Sequence, residues 1–206
     1  MTEAVERVAS SNHMIREEHY WYWAGAIPKE QCEKIIALGE DQWKAATVIG
    51  EDVGICKTSS YRESDVAWTD EKWVYETIWP YMVGANEGAG WNYDIRAAET
   101  MQISRYDEGN HYNFHRDGMG SHRGVDSEAT GIREGNTRKI SLVLVLSNEF
   151  EGGNLTFDSG VGQAPNFEQE VGTLVAFPSF VGHKVTPVTA GIRHSLVAWF
   201  MGPPFK

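Results

Sequence analysis

The chain is poor in cysteine: Cys32 and Cys56 are the only two among 206 residues. Two thiols build neither a disulfide framework nor a thiolate metal site, which excludes disulfide-stapled and all-thiolate metal scaffolds. Long apolar runs are also lacking. No stretch approaches the ~20 apolar residues that span a bilayer, and the first eighteen residues are polar, without an apolar signal core. The expectation is a reduced, cytoplasmic protein with no membrane partner. Basic residues are outnumbered, 18 against 29, for a net charge of −11, and no Lys/Arg run marks a basic patch. Like-charge repulsion argues against a nucleic acid partner, and the acidic surplus favours a neutral or basic substrate. No internal repeat, low-complexity tract or domain linker interrupts the chain, so residues 1–206 read as one domain. Nothing in the sequence marks an oligomeric state.

Aromatic residues, by contrast, are plentiful at 12%. Residues 1–17 read as a loose tail, and His19–Ile27 as an aromatic strand. Pro28 opens a helix whose Cys32, Ile35, Ile36 and Leu38 fall near helical spacing, with Gly39 as a stop. Thr69 is the N-cap candidate of a second helix, with Trp73, Ile78, Tyr81 and Met82 as its buried stripe. Pro80 inside that pattern should kink or divide it. From Ala97 onward the texture changes. Met101–Tyr106, Lys139–Leu146, Leu155–Phe157, Val171–Phe177, His183–Val188 and Ser195–Met201 are short, rich in β-branched and aromatic residues, and separated by Gly, Pro and Asn. Helices first and strands after predict an α+β, mainly β fold. Its core, residues 97–201, would be a double-stranded β-helix (jelly roll), with the N-terminal helices packed on one sheet. Gly118–Asn136 is a long polar segment without periodicity, a candidate lid.

Three elements carry chemistry. His115-Arg116-Asp117 places an imidazole and a carboxylate two residues apart, which on a strand points both to one face with Arg116 turned away. His183 follows sixty-eight residues later, at the head of another strand. Two histidines and one carboxylate can occupy one face of an octahedral metal, as in non-haem Fe(II) oxygenases, although zinc sites use the same ligand types. Arg193 decides between them. A hairpin joining His183–Val188 to Arg193–Met201 would bring this guanidinium into the same pocket, where its planar fork suits a carboxylate. A hydrolytic zinc site has no use for such a group; an iron-chelating keto acid with a distal carboxylate does.

The ordered set Tyr106, Gly109, Tyr112, His115, Asp117, Ser141–Leu146, Gly152-Gly153, Gly172, Phe177-Pro178, His183, Pro187, Gly191, Arg193 and Trp199 resembles the prolyl 4-hydroxylase-like branch of the 2-oxoglutarate/Fe(II) oxygenase superfamily. The resemblance implies that His115, Asp117 and His183 ligate Fe(II). It implies that Arg193 and Tyr106 bind 2-oxoglutarate, and that Tyr112, Arg62, Ser64 and Trp199 meet the substrate, Arg62 and Ser64 through a loop. Collagen-type members usually carry Lys where Arg193 stands. The implied reaction consumes O2, with ascorbate as a reductant, and couples oxidative decarboxylation of 2-oxoglutarate to hydroxylation of an unactivated C–H bond. The implied substrate is a prolyl residue of a peptide or protein. Two other readings stay open: the same chemistry on a free amino acid or other small molecule, and a non-catalytic, cupin-like metal-binding module.

Overall fold

The computed structural model describes residues 19–50, 54–56, 60–118, 135–158 and 170–205. The expected tail and almost all of the candidate lid, residues 119–134, lie outside the described residues. In chain order the elements are β1 (Trp21–Trp23), α1 (Lys29–Ala37), β2 (Lys44–Ala45), β3 (Val48–Gly50), β4 (Gly54–Cys56), β5 (Arg62–Glu63), β6 (Asp65–Thr69), α2 (Lys72–Gly88), β7 (Ala97–Ala98), β8 (Met101–Tyr106), β9 (His111–His115), β10 (Thr137–Val145), β11 (Phe150–Gly152), β12 (Leu155–Phe157), β13 (Leu174–Pro178), β14 (His183–Val185), β15 (Val188–Gly191) and β16 (Arg193–Gly202).

The large sheet runs β1-β13-β10-β16-β8-β6-β2, with β7 also paired to β16; the small sheet runs β12-β14-β9-β5. Every pairing in both sheets is antiparallel. The large sheet is covered on both faces, which is why β10 reads as an almost unbroken apolar run rather than an alternation. Strand periodicity still assigns the faces. Ile140, Leu142 and Leu144 join Leu196, Ala198, Phe200, Met101 and Ile103 in one buried cluster with Val74, Ile78 and Met82 of α2 and Ile35 of α1. The residues between them turn the other way. Val143, Val175 and Phe177 pack against Leu155 and Phe157 of the small sheet, and Tyr106 packs against Val185. The two sheets therefore face each other, as in a jelly roll, and the site lies between them.

Three local expectations of the second helix need correction: of the stripe expected to be buried, Trp73 and Tyr81 are only partly so. The second helix begins at Lys72 with Glu71 as its cap residue; Thr69 ends β6, and its hydroxyl accepts from the Glu71 amide at 3.3 Å. Pro80 does not divide the helix, which runs unbroken through seventeen residues. Its ring lies on the exposed face, while Val74, Ile78, Met82 and Ala85 make the buried stripe. Tertiary packing of that stripe outweighs one missing backbone hydrogen bond.

Candidate metal centre and its cavity

His115 and His183 are register partners across β9 and β14, and their ring centroids lie 4.2 Å apart. Each Nδ1 is within hydrogen-bond reach of the carbonyl two residues earlier, Asn113 at 2.9 Å and Val181 at 3.0 Å. A donor role for Nδ1 leaves each Nε2 as the lone-pair nitrogen, the arrangement that orients a metal-binding imidazole. The two Nε2 atoms stand 3.6 Å from Asp117 Oδ1 and Oδ2 respectively. Candidate ligand atoms of the three residues all lie within 4.8 Å of one another. The expected trio is thus brought together. However, Asp117 is not on the strand: β9 ends at His115, and the aspartate occupies the bend that follows. Arg116 does not turn away either; it is exposed at the rim of the cavity below.

Protonation in the folded chain suits a cation. Burial pushes the Asp117 carboxyl up, but His183, His115, Arg138 and a hydrogen bond from Ser141 together hold it down at about 2. Burial, aided by His183, lowers His115 to about 4. At neutral pH the site offers a carboxylate and a neutral imidazole, the forms that bind metal. The donor set of two imidazole nitrogens and one carboxylate fits a ferrous ion with open positions.

A cavity of about 400 Å3 extends from this trio. Its lining includes Arg62, Trp68, Gln102, Tyr106, Tyr112 and Arg193. Arg193 is fully buried, and its Nη1 donates to Ser195 Oγ at 2.9 Å. Its guanidinium carbon lies 5.4 Å from the ring centre of Tyr106, its register partner on β8. Gly153 makes room for it: a Cβ there would come within 2.7 Å of Arg193 Cδ. A buried guanidinium in the same cavity as a metal-type trio fits a ligand with a distal carboxylate. No hairpin joins His183 to Arg193. β14 belongs to the small sheet and β16 to the large one, so the two residues meet across the gap between sheets.

The expected substrate residues also reach this cavity, with one exception. Tyr112 stacks on His115 at 3.5 Å, and the Arg62 guanidinium lies 4.5 Å from the centre of the Tyr112 ring. Trp199 packs under Arg138 at 4.0 Å. Ser64 is buried and accepts from Arg62 Nε at 2.9 Å, so it props the arginine and is not part of the lining. Arg62 belongs to a short strand paired with β9, not to a loop. Arg62 Nη2 and Trp199 Nε1 are buried donors without a hydrogen-bond partner among the described residues.

Sequence reasoning missed Arg138, Glu99, Ser141, Gln102 and Trp68. Arg138 makes a two-pronged ion pair with Glu99, at 2.6 and 2.5 Å, and donates to the Asp117 carbonyl at 3.2 Å. Ser141 and Gln102 carried a usable signal: each is a polar residue inside an apolar strand. The whole-chain charge was a poor guide to this cavity. Arg62, Arg116, Arg138 and Arg193 line it, and Asp117 is the one acid among the described lining residues. Potential in a cleft follows the charges that line it, not the sum over the surface, so the expectation of a neutral or basic substrate loses its warrant.

Comparison with known proteins agrees with this geometry. Residues 101–201 match the 2OG-Fe(II) oxygenase superfamily. A PKHD-type hydroxylase of Idiomarina loihiensis is 33% identical over 101 residues, 48% of this chain and 40% of the relative, so the chain matches about two fifths of that protein's length. The 2OG complex of a viral collagen prolyl hydroxylase from Paramecium Bursaria Chlorella virus-1 superposes with TM-score 0.63 at 18% identity, over 90% of this chain and 97% of the other. A Trichoplax adhaerens prolyl hydroxylase, in complex with a hypoxia inducible factor oxygen degradation domain peptide fragment, gives TM-score 0.59 at 16% identity, over 88% and 83%. These likenesses in structure establish the fold.

Proposed function

We propose, on the premise that this chain belongs through residues 101–201 to the 2OG-Fe(II) oxygenase superfamily, that it hydroxylates a C–H bond of a prolyl residue in a peptide or protein. The observation that carries the reading is one cavity holding both the His115–Asp117–His183 trio and the buried guanidinium of Arg193. The trio would hold Fe(II), and Arg193 with Tyr106 would grip the far carboxylate of 2-oxoglutarate. With both bound, the metal supplies oxidation of a C–H bond by O2, coupled to decarboxylation of the keto acid.

The chain's own residues do the positioning. Arg193 fixes one end of the keto acid, and Ser195 fixes Arg193. The stacked pair Tyr112 and Arg62, with Trp199 and Arg138, would form the walls that receive substrate. An acceptor-bearing substrate, such as a peptide with its carbonyl groups, would satisfy the buried donors of Arg62 and Trp199. The peptide assignment also draws support from the solved prolyl hydroxylases, one of them in complex with a peptide fragment. Ascorbate would serve as an auxiliary reductant.

The test is to incubate the chain with Fe(II), 2-oxoglutarate and a proline-containing peptide library, following succinate and one-oxygen mass gains. Succinate with a gain on proline is expected, and His183→Ala should lose both metal and turnover. Succinate with gains only on small molecules would replace the peptide reading with the free amino acid one. No succinate under any condition would leave a metal-binding module.

A further inference from the structure

The three candidate ligands are not held alike. The histidines are fixed by their own strands, through Nδ1 contacts two residues back and direct pairing of β9 with β14. Asp117 lies past the end of β9 and takes its hydrogen bonds from the opposite sheet. Ser141 Oγ donates to Asp117 Oδ2 at 2.6 Å, Arg138 Nη1 donates to its carbonyl, and the next amide, Gly118, donates to Ser179 O at 2.9 Å.

Resting on the metal-site reading above, we propose that Ser141 is a positioning residue for metal binding: it engages one carboxylate oxygen of Asp117 and so dedicates the other to the cation. The hydroxyl is well placed for this. Ser141 lies on β10, near the middle of the large sheet, paired with Phe177 on one side and Trp199 on the other, and is fully buried. A seryl hydroxyl has one proton. An ionised carboxylate only accepts, so that proton goes to Asp117. Ser179 Oγ, 3.0 Å from Ser141 Oγ, must then be the donor in their shared bond. The relay from Ser179 through Ser141 to Asp117 has a single polarity and fixes the rotor that steers the carboxylate. Gly118 permits the approach: a Cβ there would stand 3.2 Å from Arg138 Cβ and 3.4 Å from Ser179 Cβ. A buried serine within the apolar run of an inner strand is thereby accounted for. Residues that orient a ligand in this way typically influence metal affinity 10–100-fold.

The test uses the full chain with Mn(II) alone, by calorimetry at fixed pH, and the visible absorption of the Co(II) form. Neither readout requires substrate or turnover. Ser141→Ala should weaken Mn(II) binding roughly 10–100-fold and change the Co(II) spectrum, while metal-free melting stays near that of the parent. Ser179→Ala should show a smaller loss in the same direction, and Ser141→Thr, which keeps the hydroxyl, should restore much of the affinity. Parental Mn(II) affinity and an unchanged Co(II) spectrum in Ser141→Ala would overturn the proposal. If that variant does not fold, Ser179→Ala decides, and parental affinity there overturns it equally. Asp117→Ala separates the two levels: undiminished Mn(II) binding in that variant would instead break the metal-site reading itself.

Discussion

Arg193 shows how a single side chain is made ready for a ligand. Its guanidinium is buried beside Ser195 and Tyr106, and Gly153, with φ +57°, leaves space for its stem. Gly153→Ala would strain a backbone that L-residues rarely adopt and drive a methyl toward Arg193 Cδ. The expected outcome is a raised 2-oxoglutarate requirement with Mn(II) affinity retained; an unchanged requirement in a folded variant would refute the link between Gly153 and Arg193. The neighbouring His194 makes a different prediction. Burial, then Arg105, lowers its pKa to about 4, against about 6.5 in an unfolded chain. Above 6.5 the ring is neutral in both states. As pH falls from 6.5 toward 4, the unfolded chain takes up a proton that the folded chain refuses, so stability is lost across that window and no further below it. The melting temperature of His194→Gln should fall less steeply than that of the parent between those values, whereas parallel curves would dismiss the histidine as a contributor.

At the scale of elements, composition made most of the sheet legible. β8, β10, β12, β13 and β16 appear close to where β-branched and aromatic residues, bounded by Gly, Pro and Asn, put them. What escaped was pairing. His183–Val188 reads as one strand but splits into β14 and β15, which join different sheets, because Thr186 and Pro187 turn the chain between them. Sequence neighbours alone cannot reveal that β14 faces β16 across a gap, so Arg193 was expected beside the candidate trio through a hairpin that the chain does not form. Asp117 was legible as a candidate ligand, but its contact with Ser141 was not, since it joins residues twenty-four positions apart on different elements. Pro80 gives an element-scale prediction. It is exposed, within a continuous helix, and costs α2 a backbone hydrogen bond. Pro80→Ala should stabilise the chain by on the order of 1–3 kcal/mol, read as a higher melting temperature. A lowered melting point would mean that the proline shapes a bend the packing of α2 needs.

For the whole molecule, the candidate site is lined from both sheets, so a ligand bound there would join them. His115 and His183 come from the small sheet, and Asp117 follows directly from its strand β9; Arg193, Ser195 and Ser141 belong to the large sheet. A cation alone would tie together the residues around β9 and β14. A keto acid chelating that cation while its far carboxylate meets Arg193 would bridge both sheets. A ligand that binds only the folded chain stabilises it by about 2.7 kcal/mol at a hundred times its dissociation constant, which for a chain of this size corresponds to roughly 5–10 °C in melting temperature. The increments should be ordered. Mn(II) alone gives one shift, 2-oxoglutarate without metal gives little, and the two together exceed the sum of their separate shifts. Arg193→Ala should keep the Mn(II) increment and lose the second, and His183→Ala should lose both. Thermal melts over this grid of ligands and variants would detect the coupling, and a 2-oxoglutarate shift of equal size with and without Mn(II) would show that the keto acid and the metal do not share one site.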